Sequence, residues 1–183
     1  MDIRQGAIGN CWFMAAASAL AEKPKRLEKL FLNNSPELSK QGIYGVNFYS
    51  LGVKHTVVVD DLLPLEKVQQ PDWTFAWETM FAHIGEGSSM WGPILEKAFA
   101  KLHGNYHHII EGNPREATLS LTGSPSLYEV HAEYTADQIW SQLVKHDASN
   151  EMIFFNTPVF SDGAETNACG LTTGHAYVVL SAK

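Results

Sequence analysis

The first clear pattern in the chain is an unbroken run of apolar and small residues from Cys11 to Ala21, with Pro24 shortly after it. Alanine is a strong helix former and proline marks a helix boundary, so the run predicts a buried helix with Cys11 in its first turn. Residues 24–31 show amphipathic spacing with proline in the first turn, which predicts a second helix. The start of the chain is therefore predicted to be helical.

The spacing changes in the next part of the chain. Residues 43–64 hold two runs rich in β-branched and aromatic residues on either side of Leu51-Gly52, which predicts a hairpin whose second strand closes at Asp60. Residues 69–89 mix turn formers and aromatic residues without a regular period, and this mixture predicts an irregular connection.

Helices and strands are both predicted in the second half of the chain. Apolar residues at helical spacing predict a helix over 91–104, which ends at a glycine. A threonine cap and amphipathic spacing predict another helix over 135–148. Strands are predicted at 151–157 and 176–182, and a Gly-Ser-Pro-Ser stretch at 123–126 marks a boundary between two lobes.

The order of these elements predicts an α+β fold made of two lobes. Residues 1–124 form a helical N-terminal lobe that carries Cys11, and residues 125–183 begin a β-rich C-terminal lobe that carries His175. With 183 residues, the chain is long enough to bury a core.

Composition narrows the classes of partner. Lysine and arginine number 13 against 20 aspartates and glutamates, a net charge of −7 that argues against a nucleic-acid partner. The chain shows neither a leader peptide nor an apolar run of about 18 residues, so no membrane segment is predicted in it. Its two cysteines, Cys11 and Cys169, argue against a disulfide framework and predict an intracellular, cytoplasmic protein.

The candidate chemistry centres on Cys11. A helix start stabilises an anion, and therefore favours the thiolate of a cysteine in the first turn. His175 follows Gly174 at the start of a strand and is a candidate acid and base. The side-chain amide of Gln5 and the backbone N–H of Cys11 are candidate donors to an oxyanion. A lone cysteine is most often structural, but this combination predicts acyl transfer through a thioester.

Several segments resemble, in order, blocks of the calpain family of papain-like cysteine proteases. They are "DIRQGAIGNCWFMAAASALA", "YGVNFY…VVVDDLLP", "WGPILEKAFAKLHGNY", "LTG" and "GLTTGHAYVVL". The resemblance implies a papain-like fold in which Cys11 is the nucleophile, His175 the general base and acid, and Gln5 the oxyanion donor. It also implies that Gly112 and Gly174 lie where the substrate binds.

The chain departs from the family at two positions of the site. Gly112 matches the second glycine of a substrate-binding pair, and Glu111 stands at the first. The family's third catalytic residue is an asparagine beyond the histidine, whereas Asn156 and Asn167 both precede His175. The chain is therefore expected to be a fragment of a longer protein with further domains, with an incomplete second lobe and little activity in isolation.

The resemblance also implies calcium as a regulatory ion. Asp2 matches one side-chain ligand of the family's first calcium site, but Ser89 stands where that site has a glutamate. Ca²⁺ prefers several oxygen ligands that include carboxylates, so this change is expected to weaken the site. The histidines of "HGNYHH", 103–108, lack the ligand spacing of known metal sites and are interpreted as solvated loop residues.

The predicted function is a calpain-type cysteine endopeptidase, with or without calcium dependence, that hydrolyses peptide bonds in protein substrates. Two alternatives stay open at the level of sequence. One is a catalytically inactive module of the same fold that binds proteins. The other is a papain-like thiol site that transfers acyl groups to amines.

Overall fold

The computed structural model describes residues 3–32, 39–159 and 165–183. Helices and strands are mixed throughout, which confirms the α+β class. The helices are α1 (Cys11–Ala21), α2 (Pro24–Glu28), α3 (Trp91–Leu102), α4 (Pro114–Thr122) and α5 (Ala136–Ala148). The strands are β1 (Ile43–Ser50), β2 (Val53–Asp60), β3 (Leu65–Gln69), β4 (Phe75–Thr79), β5 (Ile153–Asn156) and β6 (Ala176–Val179). Each strand pairs with its neighbour as an antiparallel hairpin.

Helix α1 forms the centre of the core. Apart from Cys11 and Ser18 all its residues are buried, because helices and strands pack around it on several sides. The ring of Phe13 stacks on Phe99 of α3, with 4.1 Å between the ring centroids. The stripe predicted on α3 is buried as expected, with Ile94 and Phe99 both at most 2% exposed. The first turn of α1 is thereby anchored in the buried core.

The hairpin of β1 and β2 follows the sequence pattern. Its register runs from Ile43 opposite Asp60 to Ser50 opposite Val53. The two turn residues, Leu51 and Gly52, have φ of 50° and 77°, the left-handed pair that joins twisted strands most readily. The prediction for this segment is confirmed.

The predicted irregular connection over 69–89 is wrong in its first half. Residues Phe75–Thr79 form β4, which pairs with β3 so that Gln69 lies opposite Phe75. Phe75 and Trp77 are 57% and 68% exposed, so the apolar positions of this strand face away from the core. A strand is recognised in a sequence by alternating apolar residues that form a buried face. The two aromatic residues of β4 do alternate with other residues, but the face that they form is exposed.

Several predicted elements are shorter in the structure. Helix α2 ends at Glu28 instead of residue 31, because residues 30–32 leave the helix and pair with β1. The backbone N–H of Asn47 donates to the Leu30 carbonyl at 2.8 Å. The strands predicted at 151–157 and 176–182 are limited to β5 and β6.

The paired strands β5 and β6 both contact α1. Helix α5 starts at a capping box in which Thr135 and Gln138 exchange hydrogen bonds, and it packs on β5. The lobe boundary near residue 124 stays a prediction. Within the described ranges, none of the helices has the length and apolar character needed to cross a membrane.

Candidate active site

Cys11 is the first residue of α1, as predicted. Its free thiol belongs to a half-buried residue. The carbonyl of Asn10 accepts hydrogen bonds from the backbone N–H groups of Phe13 and Met14, at 3.0 and 3.1 Å. The helix thus begins directly at the cysteine, where the first N–H groups have no intrahelical acceptor. An anion at this position is stabilised by the helix start.

The loop before Cys11 is folded around one carbonyl group. The oxygen of Ile8 accepts from the Gln5 side-chain Nε2 at 2.5 Å and from the Asn10 backbone N–H at 2.9 Å. Gln5 is therefore turned back toward the residues that precede Cys11. A primary amide carries two N–H groups, so this bond orients the side chain while a second donor remains on the same nitrogen.

Gly6 allows this loop to lie directly on a neighbouring segment. The Ala7 N–H donates to the Met80 carbonyl, and the His83 N–H donates to the Arg4 carbonyl, both at 2.9 Å. A Cβ added at Gly6 would lie 1.9 Å from the Phe81 carbonyl oxygen. Glycine is therefore the only residue that fits at position 6 while the two segments stay at this distance from each other.

Glu96 is a site residue that the sequence analysis missed. It is fully buried and accepts two hydrogen bonds, from Asn10 Nδ2 at 2.6 Å and from the Ala82 backbone N–H at 2.7 Å. Burial raises the pKa of Glu96, while these two hydrogen bonds oppose the shift. The pKa of Tyr106 is also raised, mainly by burial and to a smaller extent by the negative charge of Glu96. No spacing pattern marks Glu96, because it lies outside the apolar stripe of a helix that is buried on more than one side.

The segment that contains Glu111 and Gly112 is clamped against the start of α1. The Glu111 N–H donates to the Gly9 carbonyl at 2.9 Å, and Trp12 Nε1 donates to the Ile109 carbonyl at 3.0 Å. A Cβ at Gly112 would lie 2.4 Å from the Trp12 ring, so only glycine fits there. Glu111 has φ of 58°, a left-handed conformation that costs a side chain about 1 kcal/mol. Glu111, at the first position of the glycine pair, therefore has a backbone conformation that suits glycine.

His175 directly precedes β6 and is half-buried. Its backbone N–H donates to Thr157 Oγ1 at 2.9 Å, and the Thr157 N–H donates to the His175 carbonyl at 2.9 Å. The imidazole meets the Tyr177 ring edge to face, with 4.9 Å between centroids. Gly174 has φ of 56° and donates its N–H to the Pro158 carbonyl. Because β6 contacts α1, the structure packs the elements of Cys11 and His175 together.

The other candidates have structural roles or lie outside the description. Asp2 lies outside the described residues. The Asn167 Oδ1 accepts from two backbone N–H groups of its own turn, at 2.9 Å each. The rings of His103 and His108 contact backbone carbonyls through Nδ1, at 3.0 and 2.7 Å. In the described part of the chain, no cluster of three or more histidine, cysteine, aspartate or glutamate residues could hold a metal ion.

A large cavity reaches Thr157, the residue that is hydrogen-bonded to the backbone of His175. It has a volume of about 1090 Å³ and is lined from both lobes, with Arg26, Tyr49, Tyr128 and Phe154 among its walls. Neither Cys11 nor His175 lines it. The candidate nucleophile therefore lies at the start of α1, outside this cavity.

Comparison with known proteins places the whole chain in one context. A family described as "Calpain family cysteine protease" matches residues 1–183. The calpain-type cysteine protease ADL1 of Oryza sativa subsp. japonica is 32% identical over 191 aligned positions, which cover 100% of this chain and 8% of the relative. Calpain-12 of Homo sapiens is 30% identical, over 97% of this chain and 23% of the relative. Calpain-5 of Mus musculus is 30% identical, over 100% of this chain and 30% of the relative. The chain thus spans less than a third of each of these proteins.

Proposed function

Because the chain belongs to the calpain family of cysteine proteases, we propose that it supplies the nucleophile and the histidine of a calpain-type endopeptidase site. The observation that carries the proposal is the packing of α1, which begins at Cys11, against β6, which follows His175. The loop of Gln5 folds back onto the same helix start. The family match favours this function over a catalytically inactive binding module.

In the proposed mechanism, His175 takes the proton of the Cys11 thiol, and the sulfur attacks the carbonyl carbon of a peptide bond. The negative charge that develops on the carbonyl oxygen is stabilised by the Gln5 amide and the Cys11 backbone N–H. The C–N bond then breaks, and His175 returns its proton to the leaving amine. Water, deprotonated by His175, attacks the remaining thioester and releases the acid and the free thiol.

The proposed substrates are protein chains, with the segment at Gly112 beside the scissile bond. The contact of Gly112 with Trp12 supports this assignment, because it holds the segment next to the residue that follows Cys11. We further propose an intracellular location and additional domains in the full-length protein. The greater length of the relatives supports the additional domains.

Labelling of the full-length protein with a peptidyl chloromethyl ketone tests the proposed nucleophile. We expect one adduct, located at Cys11 by peptide mapping, because a thiol served by a general base reacts faster than an ordinary thiol. An excess of peptide substrate should slow the reaction. In the control variant Cys169→Ser, labelling should be unchanged, since Cys169 is exposed and lies in a separate turn. Labelling that avoids Cys11 would contradict the proposal.

Calcium dependence is a more specific proposal than the endopeptidase activity, and membership of the calpain family supports it. The residues at hand fit a calcium site in the first lobe poorly, because Ser89 offers a neutral hydroxyl where the family has a carboxylate. We therefore assign no catalytic step to the ion. The test compares peptide cleavage by the full-length protein in millimolar Ca²⁺ and in excess chelator. A rate that is at least tenfold higher with Ca²⁺ supports calcium dependence, and equal rates overturn it.

A further inference from the structure

Glu96 is hydrogen-bonded to the residue that precedes Cys11 and to a segment that pairs with the loop of Gln5. Each of its carboxylate oxygens accepts one hydrogen bond, and the two donors belong to different segments of the chain. We propose that Glu96 is a positioning residue that holds the two oxyanion donors, the Cys11 N–H and the Gln5 amide, at a fixed separation. This inference rests on the proposed function, and it adds a residue that does not touch the substrate.

The first carboxylate oxygen of Glu96 holds the segment, here called an arm, that contains Cys11. Glu96 Oε1 accepts from Asn10 Nδ2 at 2.6 Å, and the Asn10 carbonyl forms one peptide group with the Cys11 N–H. The same carbonyl accepts from Phe13 and Met14, which fixes the plane of that peptide. The direction of the Cys11 N–H therefore depends on where the Asn10 side chain is held.

The second oxygen holds the arm that contains Gln5. Glu96 Oε2 accepts from the Ala82 N–H at 2.7 Å. Ala82 lies between Met80 and His83, the residues bonded to the backbone on either side of Gln5. These bonds, and the absence of a side chain at Gly6, fix the distance between the two segments. A shift of Ala82 would therefore move Gln5 as well.

A carboxylate is suited to this role because both partners are N–H donors. Glu96 has no exposed surface, so an uncompensated donor or acceptor there would stay away from water. Glutamine offers one acceptor and would turn an NH₂ group toward one of the two donors. In the glutamine variant, rotation of the Asn10 amide would let the buried Asn10 Oδ1 accept from the new NH₂ group, but it would leave Asn10 Nδ2 unpaired and replace a charged hydrogen bond with a neutral one. Methionine has a similar shape and offers neither oxygen.

The test compares Glu96→Gln and Glu96→Met with the wild type in the full-length protein. Oxyanion donors act mainly in the transition state, so we expect kcat to fall about 10-fold for glutamine and about 100-fold for methionine, with KM changed less than about threefold. Affinity for a peptide aldehyde, whose adduct places an oxygen at the same position, should fall by the same factors. Alkylation of Cys11 by iodoacetamide displaces iodide without forming an oxyanion, and its rate should stay within about twofold.

Thr118→Val provides the matched control. Thr118 is also buried, and its hydroxyl donates to the Pro114 carbonyl at 2.7 Å, so this variant loses a buried hydrogen bond that touches neither arm. We expect it to keep the wild-type kcat. Glu96→Gln carries the test if Glu96→Met does not fold.

The outcomes separate the two proposals. Unchanged kcat in folded Glu96→Gln, or alkylation that slows as much as cleavage does, overturns the positioning role. If Cys11→Ala cleaves peptides as fast as the wild type, the proposed function itself fails. If Cys11→Ala is inactive while both Glu96 variants are fully active, the proposed function stands and only the positioning role is lost.

Discussion

Replacing Cys11 with alanine is expected to lower kcat for peptide hydrolysis by about 10⁴-fold or more, because no covalent thioester can then form. The methyl group of alanine fits in the space of the thiol side chain. Residue 11 is the first position of α1, whose other residues are buried apart from Ser18. The thermal unfolding midpoint should therefore change little. The measurement is the initial rate of cleavage of a fluorogenic peptide by the full-length protein at saturating substrate.

The control for this variant is Cys169→Ala. Cys169 is exposed, and its backbone N–H is bonded within a local turn to Asn167. Its replacement should leave cleavage within about twofold of the wild type, as for most exposed positions away from a site. If the Cys11 variant retained more than a tenth of the wild-type kcat, Cys11 would not be the nucleophile.

Gly6→Ala is expected to have the largest effect on stability among the loop residues, about 3 kcal/mol of lost unfolding free energy. The new Cβ would lie 1.9 Å from the Phe81 carbonyl oxygen and 2.6 Å from that of Met80. Both obstacles are backbone atoms, so no side-chain rotation can make room. The two segments must separate, which weakens the bond from the Ala7 N–H to Met80 and displaces Gln5. Urea unfolding measures the first effect and kcat the second.

Gly9→Ala in the same loop is the matched comparison. Its new Cβ would meet only Ile110 Cγ2, at 3.9 Å, an ordinary van der Waals contact. We expect a change in stability below about 1 kcal/mol and little loss of activity. Equal losses for the two alanine variants would show that the spacing between residues 6 and 81 does not govern the loop.

The elements with buried faces were predictable from the sequence. Helix α3 places apolar residues at helical spacing, helix α1 is a continuous apolar run that is buried on nearly all sides, and the first hairpin is rich in β-branched and aromatic residues. Strand β4 was not recognised, because its aromatic residues face outward and its partner strand is identified only by pairing. The end of α2 also depends on a distant contact, since residues 30–32 leave the helix to join β1.

The residues of the candidate site also fall into those that the sequence predicts and those that it does not. Cys11, Gln5 and His175 could be proposed from local motifs and from family resemblance. Glu96 could not, because its two hydrogen bonds join it to residues far away along the chain, and a glutamate in a helix ordinarily faces solvent. The left-handed backbone of Glu111 is likewise a property of its contact with Gly9 and not of its residue type.

The close approach of Gly112 to the Trp12 ring has a consequence for how such chains can diverge. Because a Cβ at residue 112 would overlap the indole, the two positions share one volume. A larger residue at 112 is compatible with the fold only after Trp12 has become smaller, and a smaller residue at 12 opens a hollow beside the nucleophile. Change at either position alone passes through a poorly packed intermediate, so the pair is expected to vary together or not at all.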